Sequence, residues 1–141
     1  MDGLEGSEMA AIELGENNFR ETVSLDGLVL VDCWAEWCGA CKSFEPIYER
    51  VASRHPSHTF AKLDTQNEKE LREALDIAHI PTLLVYRDGL LLLRHPGSPD
   101  ENALESIVSQ ASRLDMRRVR EEMTTDERAV PDTPRAGRQA S

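Results

Sequence analysis

The fold is decided by an apolar run that ends in two cysteines: Leu28-Val29-Leu30-Val31-Asp32-Cys33-Trp34-Ala35-Glu36-Trp37-Cys38-Gly39-Ala40-Cys41. Residues 28–34 are apolar and β-branched with one acid among them, which is typical of a strand buried on both faces in a central parallel sheet. Asp32 is therefore a candidate buried carboxylate. Beyond Cys41, apolar side chains stand at positions 44, 47, 48, 51 and 52. That spacing predicts an amphipathic helix directly after the cysteine pair.

The rest of the chain predicts strands and helices in alternation around this unit. Strands are expected at 11–14, 59–63, 82–86 and 90–93, and short helices near 19–23 and 67–75. Asp88-Gly89 between two apolar runs indicates a β-hairpin. Ser98 and Pro99 predict the N-cap and first residue of a last helix that reaches Leu114. The order predicts an α/β fold with a central mixed sheet of about five strands, flanked by about four helices.

The two ends of the chain differ from its middle. We expect residues 1–10 to be a flexible leader and residues 11–115 to form one domain. We expect residues 116–141 to hold the end of the last helix and a disordered tail. The chain of 141 residues has 16 basic and 26 acidic side chains, a net charge of −10. This acidity disfavours nucleic acid and anionic membranes as partners. The N-terminus does not resemble a secretory signal, so we expect a cytoplasmic protein.

The cysteine pair carries the chemistry. Two cysteines three residues apart at the opening of a helix lie on one face, so their sulfur atoms can reach each other. The helix N-terminus stabilises an anion, which makes a Cys38 thiolate available near neutral pH. Cys41 can then resolve a mixed disulfide by intramolecular attack. Gly39 permits a close approach, and Trp37 is an apolar neighbour that can contact a peptide.

A Cys-x-x-Cys pair can also be half of a zinc site, which needs two further ligands. The chain has no second pair of this kind, and His55 and His58 fall near the end of the predicted helix. We therefore expect no metal. An inert pair is also disfavoured, because the strand, cysteine pair and helix follow one another in a specific order.

Residues 31–42 closely resemble the active-site segment of bacterial thioredoxins, here with Cys-Gly-Ala-Cys at its centre. The resemblance continues in register through Pro46, Ala61–Asp64, Ile80–Thr82, Gly89 and Gly97. It covers about residues 12–114 and identifies the chain as a member of the thioredoxin family. The resemblance implies the thioredoxin fold.

The resemblance implies a role for each matching position. Cys38 would be the exposed nucleophile and Cys41 the buried resolving thiol, and the two would form a redox-active disulfide. Asp32 would be the proton acceptor for Cys41, supported by Lys62. Pro81 would be a cis-proline that faces the cysteines. The substrate-binding residues would be Trp37, Gly39, Ala40, Ile80, Pro81 and Gly97.

The residues alone leave two of these roles open. An acid in the middle of a buried strand should have its pKa raised toward the range of a general base, but Asp32 could also be a satisfied structural residue at a strand end. Pro81 could simply be a residue at the entry of a strand.

Three positions depart from the family pattern. Ala40 stands where proline is usual, which leaves a backbone donor free near the sulfur atoms and predicts a somewhat less reducing protein. Cys33 replaces an aromatic residue and points to the sheet face opposite Asp32, either as a small core residue or as a third redox thiol. His79 stands where a small residue is favoured, and either tunes Cys38 or is a solvated loop residue.

The sequence therefore predicts a thioredoxin-like protein-disulfide reductase that works by dithiol–disulfide exchange in cell redox homeostasis. The resemblance implies a monomer with no bound cofactor, which receives electrons from NADPH through thioredoxin reductase and passes them to disulfide-containing proteins. One alternative is a thiol oxidant or disulfide isomerase; Ile80 before the implied cis-proline favours the reductase. The other is an interaction module with incidental redox activity, against which the intact cysteines and Asp32 argue.

Overall fold

A computed structural model describes residues 11–125, which form a five-stranded sheet covered by helices on both faces. The strands are β1 (Ile12–Glu13), β2 (Leu28–Trp34), β3 (Thr59–Asp64), β4 (Thr82–Arg87) and β5 (Leu90–Pro96). The helices are α1 (Phe19–Val23), α2 (Gly39–Arg54), α3 (Lys69–Ala74), α4 (Glu101–Ser112) and α5 (Met116–Thr125).

The sheet is mixed, as the sequence predicts. Its strand order is β1-β3-β2-β4-β5, so the strand that leads to the cysteines lies at the centre. Strands β1 and β2 run parallel to β3, whereas β4 runs antiparallel to both β2 and β5. The prediction of about five strands is confirmed. The described residues form five helices rather than about four.

Alternation along β2 divides the core into two clusters, one on each face of the sheet. Val29, Val31 and Cys33 pack on the face covered by α1 and α3. Leu28 and Leu30 pack on the other face, against α2 and α4. Because successive side chains of a strand point to opposite faces, Asp32 lies on the α2 side and Cys33 on the opposite side. The sheet therefore places two adjacent buried side chains in different surroundings.

The hairpin between β4 and β5 forms where the sequence predicts it. Asp88 has a φ of 53° and Gly89 a φ of 84°. Two consecutive positive φ angles are what a tight hairpin turn requires, and Asp and Gly tolerate them best. The Asp88 carboxylate also accepts a hydrogen bond from the Gly27 backbone N–H at 2.7 Å, which ties the turn to the start of β2.

Two predictions about the C-terminal helices are wrong. Asp100, not Ser98, is the N-cap of α4: its carboxylate accepts a hydrogen bond from the Ala103 N–H at 2.8 Å. Where the sequence predicts the end of a single helix, the chain begins a second one, α5. Asp115 accepts hydrogen bonds from the backbone N–H groups of Arg117 and Arg118, and Met116 is buried. A new cap and a buried anchor therefore restart the helix.

The predicted leader (residues 1–10) and the predicted tail beyond Thr125 lie outside the described residues. Within residues 11–125, no helix has both the length and the apolar character needed to cross a membrane.

Candidate active site

The cysteine pair is formed where β2 turns into α2. The Cys38 N–H donates to the Ala35 carbonyl at 3.1 Å, which closes a turn after the strand. Cys38 is the N-cap of α2, and its Sγ accepts a hydrogen bond from the Cys41 N–H at 3.1 Å. The two cysteines are disulfide-bonded, with Cα atoms 5.2 Å apart. The Cys38 sulfur therefore lies at the positive end of a 16-residue helix, where an anion is stabilised.

The expectation of an exposed Cys38 is wrong for this disulfide form. Cys38 is 6% exposed and Cys41 is 3% exposed, so both sulfur atoms are largely covered. They pack with Ala35, and the side chains of Trp34 and Ile80 lie against this small cluster. Cys38 is still the more accessible of the two.

Asp32 lies beneath the pair in a cleft of about 320 Å³. The cleft is lined by Asp32, Trp34, Glu36, Cys41, Lys42, Glu45 and Lys62. Asp32 is only 1% exposed, and no hydrogen-bond partner for its Oδ1 occurs among the described residues. Burial raises the pKa of Asp32 to about 7, although the positive charge of Lys62 lowers it. Cys41 therefore lines the same cleft as a carboxyl group whose pKa is near neutral.

Lys62 is the neighbour of Asp32 on the sheet, since the two residues are partners in the parallel pairing of β2 with β3. Its side chain is 13% exposed, and its Nζ donates to Glu45 Oε2 at 2.9 Å. The ammonium also stands 5.1 Å from the centre of the Trp34 ring, within the range of a cation–π contact. Lys62 therefore lines the same cleft as Asp32, and its ion pair is with Glu45.

Sequence reasoning missed Glu45 and Glu49. They follow Cys41 by four and eight residues on α2, so all three share one face of the helix. Burial raises the pKa of the Glu49 carboxyl, and the nearby Lys62 opposes the rise. The spacing was visible in the sequence, but nothing in it indicated that β3 would place Lys62 opposite this face.

The predicted substrate-binding residues come together around Cys38. Trp37 is the most exposed large apolar side chain of the described residues, at 65%. Ile80 contacts the cysteine cluster, and the bond from Ile80 to Pro81 is cis. The Gly97 N–H donates to the Pro81 carbonyl at 2.7 Å. Gly39 and Ala40 are exposed at the start of α2. Trp37, Gly39, Ala40 and Gly97 are exposed, Ile80 is partly buried and Pro81 is buried.

His55 lies at the opposite end of α2 from the cysteines, about 24 Å away for a helix of this length. Its ring stacks on that of His58, and its Nε2 lies 2.8 Å from Glu105 Oε1. The two histidines cannot join Cys38 and Cys41 around one metal ion. Within residues 11–125, no group of three or more His, Cys, Asp or Glu side chains is arranged to hold a metal.

A disulfide at a helix N-terminus, a buried carboxyl group beneath it and a cis-proline beside it define the class of thiol–disulfide oxidoreductases built on the thioredoxin fold. The thioredoxin family model matches residues 10–110. A Streptomyces coelicolor protein that carries the name "Putative thioredoxin 2" is 43% identical over 79% of this chain and 83% of its own length.

Two further likenesses agree with this match. The thioredoxin of Chlamydia muridarum is 36% identical over 69% of this chain and 94% of its own length. A solved structure of a thioredoxin variant from Halobacterium salinarum superposes with a TM-score of 0.69 at 28% identity, over 74% of this chain and 92% of that one. The chain belongs to the thioredoxin family. It is a protein-disulfide reductase that works by dithiol–disulfide exchange through its Cys-x-x-Cys pair.

Proposed function

We propose that Cys38 is the nucleophile and Cys41 the resolving thiol of this reductase. The Cys38 thiolate attacks one sulfur of a substrate disulfide, and the other substrate sulfur leaves as a thiolate. Cys41 then loses its proton and attacks Cys38 Sγ, which releases the first substrate sulfur and forms the Cys38–Cys41 disulfide. Two electrons pass from the protein to the substrate. The observation that carries this assignment is the hydrogen bond from the Cys41 N–H to Cys38 Sγ at the helix N-cap.

Asp32 is the proton acceptor for Cys41 in this mechanism. Both side chains line the same cleft, and a carboxyl group whose pKa is about 7 can both take and return a proton near neutral pH. Lys62, the partner of Asp32 on the sheet, supports this role because its positive charge limits the rise in the pKa of Asp32 that burial causes. The buried setting supports this role over that of a satisfied structural residue, since Asp32 Oδ1 has no partner among the described residues.

The proposed substrate-binding residues are Trp37, Gly39, Ala40, Ile80, Pro81 and Gly97, of which Pro81 alone is buried. The exposed indole of Trp37 offers apolar contact area, and the glycines allow a peptide backbone to approach closely. Gly97 has a φ of +90° and no atom within 4 Å of where a Cβ would stand, so the surface is open there. The Cys-Gly-Ala-Cys sequence makes this a bacterial-type site in which alanine replaces proline.

Electrons reach this site from NADPH through a thioredoxin reductase, and they leave to disulfide-containing proteins. The proposed working unit is a monomer. The cytoplasm is the proposed compartment, because the buried Cys33 is a free thiol and the chain uses few cysteines. Residues 11–115 are the proposed catalytic domain, with 1–10 and 116–141 as its flanking segments.

Insulin disulfide reduction, driven by NADPH and thioredoxin reductase, tests the proposal with three matched Cys→Ser variants. Cys38→Ser should reduce the rate to background, because no nucleophile remains at the helix N-cap. Cys41→Ser should form mixed disulfides with substrate and fail to release them, which mass spectrometry detects. Cys33→Ser is the control and should retain activity. Equal rates for wild type and Cys38→Ser would contradict the proposal, as would a Cys41→Ser variant that turns over normally.

A further inference from the structure

Glu45 stands in an unusual position beside the proposed proton acceptor. It lies four residues after Cys41 on the same face of α2, and it lines the cleft with Asp32 and Lys62. Its side chain is 52% exposed, whereas that of Lys62 is 13% exposed. Glu45 is thus the outer member and Lys62 the inner member of an ion pair at the mouth of the cleft.

The ion pair with Glu45 determines which carboxylate the positive charge of Lys62 interacts with most closely. The sheet places Lys62 directly beside Asp32, so the ammonium is the cation best placed to neutralise that carboxylate. Its Nζ nevertheless donates to Glu45 at 2.9 Å, while Asp32 Oδ1 is left without a partner among the described residues. The Trp34 ring holds the ammonium from another side. Two contacts therefore direct Lys62 outward rather than toward Asp32.

We propose that Glu45 is a positioning residue for the known reaction: it holds the Lys62 ammonium at the mouth of the cleft, away from Asp32, and so keeps Asp32 able to carry a proton for Cys41. Glu45 acts through Lys62 and does not touch the reacting sulfur atoms. This inference rests on the proposed role of Asp32 as proton acceptor.

The groups around Asp32 decide what happens when Glu45 loses its charge. Lys62 faces it from β3, and Cys41, Lys42, Glu45, Tyr48 and Glu49 belong to α2; Glu36 lies in the loop before the helix, and Cys33 is the next residue of β2. Glu45 and Glu49 both raise the pKa of Asp32 by their negative charge, and Lys62 lowers it. Removing the charge of Glu45 should therefore lower the pKa of Asp32 in two ways. It deletes a nearby negative charge, and it frees the Lys62 ammonium to approach Asp32.

The test is an NMR titration of the Asp32 side-chain carboxyl carbon in the disulfide form, for wild type, Glu45→Gln and Glu49→Gln. Glu45→Gln should lower the titration midpoint of Asp32 by about one pH unit, because an opposite charge moving close to a carboxylate has effects of that order. Glu49→Gln is the matched control: it deletes the same charge from the same helix face but leaves the Lys62 ion pair intact. Its effect should be clearly smaller.

A double-mutant cycle with Lys62→Met separates positioning from simple charge. In the Lys62→Met background, Glu45→Gln should lower the Asp32 midpoint only as much as Glu49→Gln does. Equal effects of Glu45→Gln with and without Lys62 would overturn the inference, as would a midpoint that does not move. Glu45 is half exposed, so the variant should fold, and the titration itself reports folding.

The proposed role of Asp32 has a separate readout. Asp32→Asn should slow insulin reduction. If it does not, the proton-acceptor role fails, whatever the titration shows. If it does, and the Glu45→Gln titration moves as expected, the acid limb of the pH–rate profile of Glu45→Gln should move to lower pH by the same amount. An acid limb that stays in place would overturn the effect of Glu45 on the reaction.

Discussion

Asp32 and Cys33 are adjacent residues of one strand, both are almost fully buried, and burial raises the pKa of each. Their surroundings nevertheless differ. Asp32 lies in a cleft with Lys62 and Glu45, and its pKa of about 7 is in the working range of a general base. Cys33 packs between apolar side chains of β3 and β4, and burial moves the pKa of its thiol far above neutrality. Burial raises both pKa values, and the outcome depends on where each group starts: the Asp32 carboxyl, with an ordinary value of 3.8, reaches the working range of a base, whereas the Cys33 thiol, whose ordinary value is already 9.0, is moved further from it.

Placing a second carboxylate one residue along the strand, at position 33, should produce the largest change in the free energy of unfolding. Cys33→Asp places an acid on the apolar face, next to the negative charge of Asp32; the positive charge that acts on position 33 is that of Arg94, whose guanidinium already donates to the Leu75 carbonyl at 2.7 Å. An uncompensated buried charge costs about 3–5 kcal/mol, which is comparable with the whole stability of a small domain. Urea unfolding at pH 8 should therefore find the variant largely unfolded.

The matched control for this change is Cys33→Val, which keeps an apolar side chain of similar size and should stay folded. At pH 5 part of the lost stability of Cys33→Asp should return, because the buried carboxyl can be protonated there. Wild-type stability of Cys33→Asp at pH 8 would show that the two faces of the sheet differ less than their contacts indicate.

Removing the carboxylate from the cleft should give the next largest effect, with the opposite sign. The folded pKa of Asp32 is about 7 against an ordinary value of 3.8, so the folded state binds the proton more tightly than the unfolded chain does. The stabilisation from this proton is fully present below pH 3.8 and is lost as the pH rises through 7, a total of about 4 kcal/mol. The Asp32→Asn variant has no carboxyl group to titrate at this position, so its free energy of unfolding does not fall in this way.

Urea unfolding of the disulfide forms from pH 4 to pH 8 measures this difference. The free energy of unfolding of the variant should rise relative to that of the wild type by about 4 kcal/mol across this pH range. Most of this rise should lie between pH 4 and pH 7. The other titrating groups are common to both proteins, so those that do not interact with Asp32 cancel in the comparison. Parallel stability curves would mean that Asp32 titrates at its ordinary pKa, and the contrast with Cys33 would then lose its basis.

The sequence predicted this contrast as far as local geometry determines it. A strand alternates its side chains, so residues 32 and 33 had to face opposite sides once β2 was recognised. The cysteine pair at the start of α2 followed from spacing as well. The ion pair of Lys62 with Glu45 did not, because it depends on how β3 and α2 meet in space. Coverage of Cys38 by Ile80 is likewise a contact between distant segments.

Local sequence signals also failed to predict the start of a helix where neighbouring residues could each serve as its N-cap. Ser98-Pro99 and Asp100 are all acceptable beginnings of a helix, and only the hydrogen bond from the Ala103 N–H shows which one caps α4. The helix α5 is strongly polar overall and carries few large apolar residues, so its amphipathic pattern was passed over as the end of the preceding helix. The Asp115 cap was present in the sequence but could not be distinguished from an ordinary loop aspartate.

Shortening the side chain on the apolar face should have the smallest effect. Cys33→Ala removes only one buried sulfur atom from a cluster that has no role in the chemistry, so it should cost about 1 kcal/mol in unfolding free energy. Insulin reduction should proceed at the wild-type rate, because Cys33 lies on the sheet face opposite the cleft.

Mild oxidation followed by peptide mass spectrometry should detect the Cys38–Cys41 disulfide and no species linked through Cys33. A buried thiol with a strongly raised pKa forms almost no thiolate, and the thiolate is the species that reacts. A Cys33-linked disulfide, or a loss of activity in Cys33→Ala without a matching loss of stability, would make Cys33 a third redox thiol, and the contrast between the two faces would no longer hold.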